Sequence, residues 1–150
     1  MIVRLFGFRR LVLTYLSIVL VVLLMTACNE NAAKALRDAA IANDAVQQFA
    51  IDAEKQKILT TAEAKVIVTA TVKIAESGKA AVAVLRLMND QDPASKTRAL
   101  DAIGIVVDQL RDLQNTLKIG NDTTRREVEA LLLVVQTGLN SARLIVASED

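Results

Sequence analysis

The sequence predicts an all-α protein, an up-down-up-down four-helix bundle preceded by an N-terminal signal/anchor helix. That expectation rests on three features. From Ala32 onward, apolar residues recur at intervals of three and four, the spacing that gathers them on one helix face. Alanine, the strongest helix former, fills many of the positions between, so local propensity agrees with the period. Turn signals at Thr60, at Asn89 to Pro93 and at Gly120 to Thr124 cut the chain into four segments of about 25 residues.

The first 28 residues differ in kind from the rest. Arg4, Arg9 and Arg10 form a positive n-region, and Leu11 to Met25 form an apolar h-region. The run ends in Leu24-Met25-Thr26-Ala27 and then Cys28, the only cysteine. This ending resembles the lipobox of bacterial lipoproteins, whose common pattern is Leu, then Ala/Ser/Thr/Val, then Gly/Ala/Ser, then Cys. Thr26, Ala27 and Cys28 match, while Met25 stands where Leu is usual. The resemblance implies cleavage before Cys28, with Leu24, Met25, Thr26 and Ala27 as the signal-peptidase recognition positions. It also implies acylation of the Cys28 thiol, and it covers residues 1–28 alone. Chemistry agrees, because one acyl chain gives only marginal membrane binding while two or more anchor stably.

An uncleaved transmembrane anchor is the competing expectation. Leu11 to Ala27 is 17 residues and includes Thr14, Tyr15, Ser17 and Thr26, against the roughly 20 mainly apolar residues that a spanning helix needs. Arg9-Arg10 before Leu-Val-Leu is similar to a twin-arginine signal, but the surrounding consensus is missing, so general secretion is expected. The three arginines hold the N-terminus inside, which places Asn29 onward in the periplasm or outside the cell. Asn29, rather than the Asp that retains many enteric lipoproteins at the inner membrane, favours the outer membrane.

The expected division is therefore residues 1–27 as signal peptide, 28–31 as lipidated cysteine and short tether, and 32–150 as the bundle. Without the three signal arginines, 15 Lys and Arg face 17 Asp and Glu, a charge of about −2. Nucleic acid, which requires a clustered basic face, is not an expected partner. There is no histidine, and the one cysteine is reserved for lipid, so the nitrogen and sulfur ligands of zinc or copper are missing. No cofactor or metal is expected. Phe49 is the only aromatic residue after Cys28, which removes the stacking platforms of sugar or single-strand binding.

In the first helix Ala32, Leu36, Ala39, Ala42, Val46, Phe49 and Ala53 form the buried stripe. It should break near Ile58 to Thr61, where Thr60 and Glu63 read as a capping box. The second helix is expected over Thr61 to Met88, with Ile67, Ala70, Ile74, Ala81, Leu85 and Met88 inward. Val66 to Val72 is β-branched enough for a strand, but its length and alanine-rich flanks decide for helix. Asp92 caps the third helix, with Pro93 at its first position, where the missing N–H costs nothing. Its stripe is Leu100, Ile103, Val107, Leu110, Leu113 and Leu117, and it should run to Ile119 and stop at Gly120. Thr124 and Glu127 read as a second capping box, opening a helix with Val128, Leu131, Val135, Leu139, Ala142 and Ile145 inward. Connections of two to five residues force consecutive helices antiparallel, giving a bundle about 38 Å long. Interface alanines should bring the helices to about 8 Å.

No constellation for catalysis can be assembled. Glu76-Ser77-Gly78-Lys79 contains a Gly-Lys pair, but Lys73 stands where a phosphate loop needs its first glycine and Ala80 where it needs Ser or Thr. A helix-surface patch is expected instead, with Gly78 letting another helix pack closely. Asp101, Asp108 and Asp112 share the third helix, with Arg111 beside them, and read as a solvated face. Without histidine neither a Ser/His/Asp triad nor a Glu-x-x-His di-iron site can form. Lys55-Lys57 and Arg125-Arg126 fall at the end far from Cys28 and suit a partner or wall polymer better than the anchoring bilayer. The expected function is a non-enzymatic, lipid-anchored envelope protein, presenting its helices to an envelope partner or to copies of itself. Leu131 to Val135 and Ala80 to Leu85, apolar almost all round, suggest self-association. The alternatives are a carrier of a small apolar ligand in the bundle interior and an uncleaved signal-anchored protein of phage or mobile-element origin.

Overall fold

A computed structural model describes residues 32–88 and 92–148. They form α1 (Ala32–Lys55), α2 (Thr61–Arg86), α3 (Pro93–Thr116) and α4 (Asp122–Ser148), with no strand among the described residues. The expected signal/anchor helix lies outside them. Val66 to Val72 is continuous helix within α2, because a 26-residue segment gains more from one uninterrupted hydrogen-bond ladder than from a short strand with no partner strand.

The four helices pack against each other as a ring. Each packs on the helix that follows it, and α1 also packs on α4, its most extensive contact. All seven stripe residues expected in α1 are buried. In α4 Val128, Leu131, Val135, Leu139 and Ala142 are buried as well, with Leu132 and Val146 beside them. The stripes of α2 and α3 are narrower at their margins, where Ala70, Met88, Leu100, Val107 and Leu117 are half-buried against the core. Phe49, Ile67, Ile103, Leu110 and Leu131 are among its largest enclosed side chains, each stabilising by about 1.5–3 kcal/mol relative to exposure.

Small residues set the tightest seam. A Cβ placed on Gly138 of α4 meets Ala39 Cβ at 3.0 Å, Ala39 Cα at 3.2 Å and Ala39 N at 3.3 Å. Any larger residue at 138 requires Ala39 to give by a few tenths of an ångström. Gly78 was expected to serve that purpose, but a Cβ placed there meets nothing within 4 Å, because the residue sits at the margin of the α1 and α2 contact.

The helix ends show which local signals the chain uses. Thr60 and Glu63 form the expected capping box, with Glu63 N–H donating to Thr60 Oγ1 at 3.2 Å and Thr60 N–H donating to Glu63 Oε2 at 2.8 Å. Asp92 Oδ1 accepts from Ala94 N–H at 3.0 Å, and Pro93 opens α3 as expected. At the end of α1, Ile58 N–H reaches Ala53 O at 2.8 Å and Lys57 N–H reaches Glu54 O at 2.8 Å. This is a Schellman closure, with Lys57 at φ 57° in the left-handed position that glycine usually fills.

The other two ends depart from expectation. Helix α3 stops at Thr116 rather than Ile119, because Leu117 turns extended and Ile119 is drawn into the core. Gly120 is not a left-handed stop, since no described glycine has positive φ. Helix α4 begins at Asp122, capped by Asn121, whose Oδ1 accepts from Thr124 N–H at 3.0 Å. Thr124 is buried inside the first turn, so the Thr124 and Glu127 box does not form.

Candidate functional site

One end of the molecule is tied together by a carboxylate. Glu63 Oε2 accepts from the backbone N–H and hydroxyl of Thr60, at 2.8 and 2.7 Å, while Glu63 Oε1 accepts from Gly120 N–H at 2.8 Å. These three donors favour the charged form and hold the Glu63 carboxyl below the usual value, with the Thr60 backbone contributing most. The bond places the α1–α2 and α3–α4 connections at the same end. Lys55-Lys57 and Arg125-Arg126 flank those connections. Lys55 pairs with Asp52 at 3.5 Å, and Arg125 pairs with Asp122 at 2.9 Å and Glu129 at 3.7 Å. These are short-range helix-surface pairs, so half of each basic pair is already neutralised by its own helix.

Nearby on α4, Glu127 shows the opposite behaviour. Its Oε2 is buried without a hydrogen-bond partner among the described residues, and desolvation raises its pKa.

Among the described residues the interior holds four polar side chains that the stripes did not include, Asn43, Thr71, Ser95 and Thr124, and the first two meet each other's helices. Asn43 is fully buried and donates from Nδ2 to Thr71 O at 2.8 Å, and the buried Thr71 hydroxyl donates to Val68 O at 3.0 Å. Asn43 Oδ1 has no partner among the described residues. Both positions sit on the apolar period, at 39, 43 and 46 in α1 and at 67, 71 and 74 in α2. A polar residue in register with a buried stripe is the signal that would have identified them. Asn43 borders a cleft between Leu36, Ala39, Ile74 and Leu139 with a volume of about 10 Å³, room for about one water molecule. An acyl chain does not fit there.

The residues singled out in the sequence are dispersed. Leu24, Met25, Thr26, Ala27 and Cys28 lie outside the described residues, as do Arg4, Arg9 and Arg10. Glu76 and Lys79 are exposed on α2, with no loop cradle around Gly78. Asp101, Asp108 and Asp112 are exposed, and Asp108 pairs with Arg111 at 3.2 Å. Among the described residues no three His, Cys, Asp or Glu side chains converge on one point.

What the fold does present is exposed large apolar side chains among charged ones on every helix. Outward positions on α1 carry Arg37, Asp44 and Gln48 with exposed Ile41, and those on α3 carry Asp101, Asp108 and Asn115 with exposed Ile105. Outward positions on α2 and α4 carry Lys65, Lys73, Glu76, Arg126 and Arg143 together with exposed Val66, Val72, Leu133 and Leu144, and Leu87 is exposed just past the end of α2. In the two runs that are apolar all round, one side enters the core and the other does not. Leu131, Leu132 and Val135 are buried while Leu133 is 60% exposed, and Ala81 and Leu85 are buried while Ala80 and Ala83 are exposed. Helix α4 is long and apolar enough to cross a bilayer, but its buried face packs on α1 and α3, as the core helix of a folded domain does.

Neither a protein-family model, nor a curated protein, nor a solved structure matches this chain.

Proposed function

We propose that the chain is a non-enzymatic, lipid-anchored envelope protein whose up-down-up-down bundle, held close to the bilayer through acylated Cys28, presents its outer helix faces to a protein partner or to further copies of itself. The observation that supports the presenting role is the set of large apolar side chains left exposed among charged ones, with Leu87 at 84%, Leu144 at 69% and Leu133 at 60% the most open. A carrier needs an interior of a few hundred Å³, and the cleft beside Asn43 holds about 10 Å³. The antiparallel order is supported by the short connections and by α1 packing on both α2 and α4. The anchor rests on the lipobox resemblance of Leu24 to Cys28, and the three-residue tether Asn29 to Asn31 reaches only about 10 Å.

Intact mass of the membrane-fraction protein, for the native chain and for Cys28→Ala, tests the anchor. The expected native mass lacks residues 1–27 and carries added acyl groups, and both changes are absent in the variant. A full-length, unacylated native mass overturns the anchor and leaves an uncleaved signal-anchored protein.

A further inference from the structure

The outer face of α2 is self-complementary about a two-fold axis, and we infer that its occupant is α2 of a second copy, packed antiparallel. This inference rests on the self-association half of the proposed function and names its surface.

Positions 62, 66, 69, 73, 76, 80, 83 and 87 follow a strict alternation of four and three, the 3.5-residue repeat of a helix seam. All eight are exposed, including Leu87 at 84%. The opposite positions of the same helix, Ile67, Thr71, Ile74 and Ala81, are buried in the chain's own core. The second seam therefore has no partner within the described residues.

The identities along that seam match when it is read against itself in reverse. A two-fold axis between positions 73 and 76 sets Lys73 of one copy opposite Glu76 of the other, twice. Neither side chain has an ion-pair partner among the described residues, although both are exposed. Moving outward, Thr69 meets Ala80 and Val66 meets Ala83, a larger residue against a smaller one at each step. At the rim Leu87, the most exposed large apolar side chain among the described residues, meets Ala62. Small residues opposite large ones let two helices close to the short end of the usual 8–10 Å separation. The central ion pairs fix register and direction more than they add affinity.

Charges on the flanks limit the affinity. On one edge Lys65 of one copy comes opposite Arg86 of the other, a like-charge contact between long exposed side chains that salt screens. The pair is therefore weak and depends on the high effective concentration that a shared membrane supplies. Antiparallel α2 helices put the two Cys28 tethers at opposite ends of the pair. Two chains in one bilayer satisfy this by lying along it rather than standing on it.

The test is energy transfer between donor- and acceptor-labelled chains, isolated from the membrane fraction as the cell processes them and reconstituted together in lipid vesicles under reducing conditions. The native chain is expected to transfer above the random-distribution level. Lys73→Glu and Glu76→Lys, each of which sets like charges opposite at the centre, should weaken association by about tenfold or more. The double variant Lys73→Glu/Glu76→Lys should restore it. Helicity by circular dichroism, unchanged because both sites are exposed, keeps a folding defect from passing as dissociation. Random-level transfer by the native chain, or undiminished transfer by either single variant, overturns the inference. Intact mass on the same vesicles separates this from the anchor: a cleaved, acylated chain without transfer refutes the pairing alone, while a full-length, unacylated chain that transfers refutes the anchor alone.

Discussion

Gly120 donates its backbone N–H to Glu63 Oε1 at 2.8 Å across 57 residues of chain, so the residue that caps α2 also fastens the approach to α4. A glutamate at the third position of a capping box ordinarily serves only its own helix. Here its second oxygen makes the box a tertiary contact.

Replacing that residue therefore costs more than a lost cap. Glu63→Gln keeps the size but turns one acceptor into a donor facing an N–H, and a loss of about 1–2 kcal/mol is expected. The carboxyl is held below its usual value, so its contribution is fully present above the unfolded pKa and is lost as pH falls through and below about 4.5. Urea unfolding across pH 3 to 7 checks this. The gap between native chain and variant should narrow toward acid.

Glu127 should behave with the opposite sign. Burial raises its pKa, so its folded form is favoured below the unfolded value and that advantage disappears as pH rises through the raised folded value. Its buried Oε2 has no hydrogen-bond partner among the described residues, so charge on the carboxyl is disfavoured there. Glu127→Gln should stabilise by about 1 kcal/mol near pH 7 and by less near pH 4. Thermal unfolding at the two pH values measures the difference.

Glycine substitutions should separate the close seam from the open ones. Gly138→Ala forces Cβ onto the Ala39 backbone at 3.2–3.3 Å, and overpacking of about 1–3 kcal/mol outweighs the helix-propensity gain of about 1 kcal/mol. Gly78→Ala and Gly104→Ala meet nothing within 4 Å and should stabilise by about 0.5–1 kcal/mol. Denaturant midpoints should therefore move in opposite directions, and a stabilising Gly138→Ala would contradict the close approach of α4 to α1.

Lys57 offers a gain by the reverse substitution. At φ 57° its Cβ is strained in the left-handed region, and Lys57→Gly should stabilise by about 1 kcal/mol while leaving the α1 end intact. A lower melting temperature for the glycine variant would contradict the Schellman closure.

The four helices after residue 31, their approximate extents and most of their inward faces were legible in the amino-acid sequence. Their period of threes and fours, the Thr60 and Glu63 box and Asp92-Pro93 are local signals, acting within one or two helical turns, and α1 buries every residue its stripe names. The exposed apolar side chains of α4 were partly visible in its apolar run, although period alone does not say which side of Leu131 to Val135 meets the core. The remainder was settled by packing between helices. Gly138 rather than Gly78 is the close approach, because spacing depends on which backbone lies opposite, and that is set by how α4 leans on α1. Asn121 displaced Thr124 as the cap because pulling Ile119 and Thr124 into the core moved the helix start three residues earlier than the box implied. Asn43 and Thr71 joined a core that the stripes had drawn as wholly apolar, since a buried amide is tolerable only where a carbonyl on another helix happens to face it. Local chemistry fixes each helix, and the pairing of surfaces across the chain fixes what those helices leave exposed.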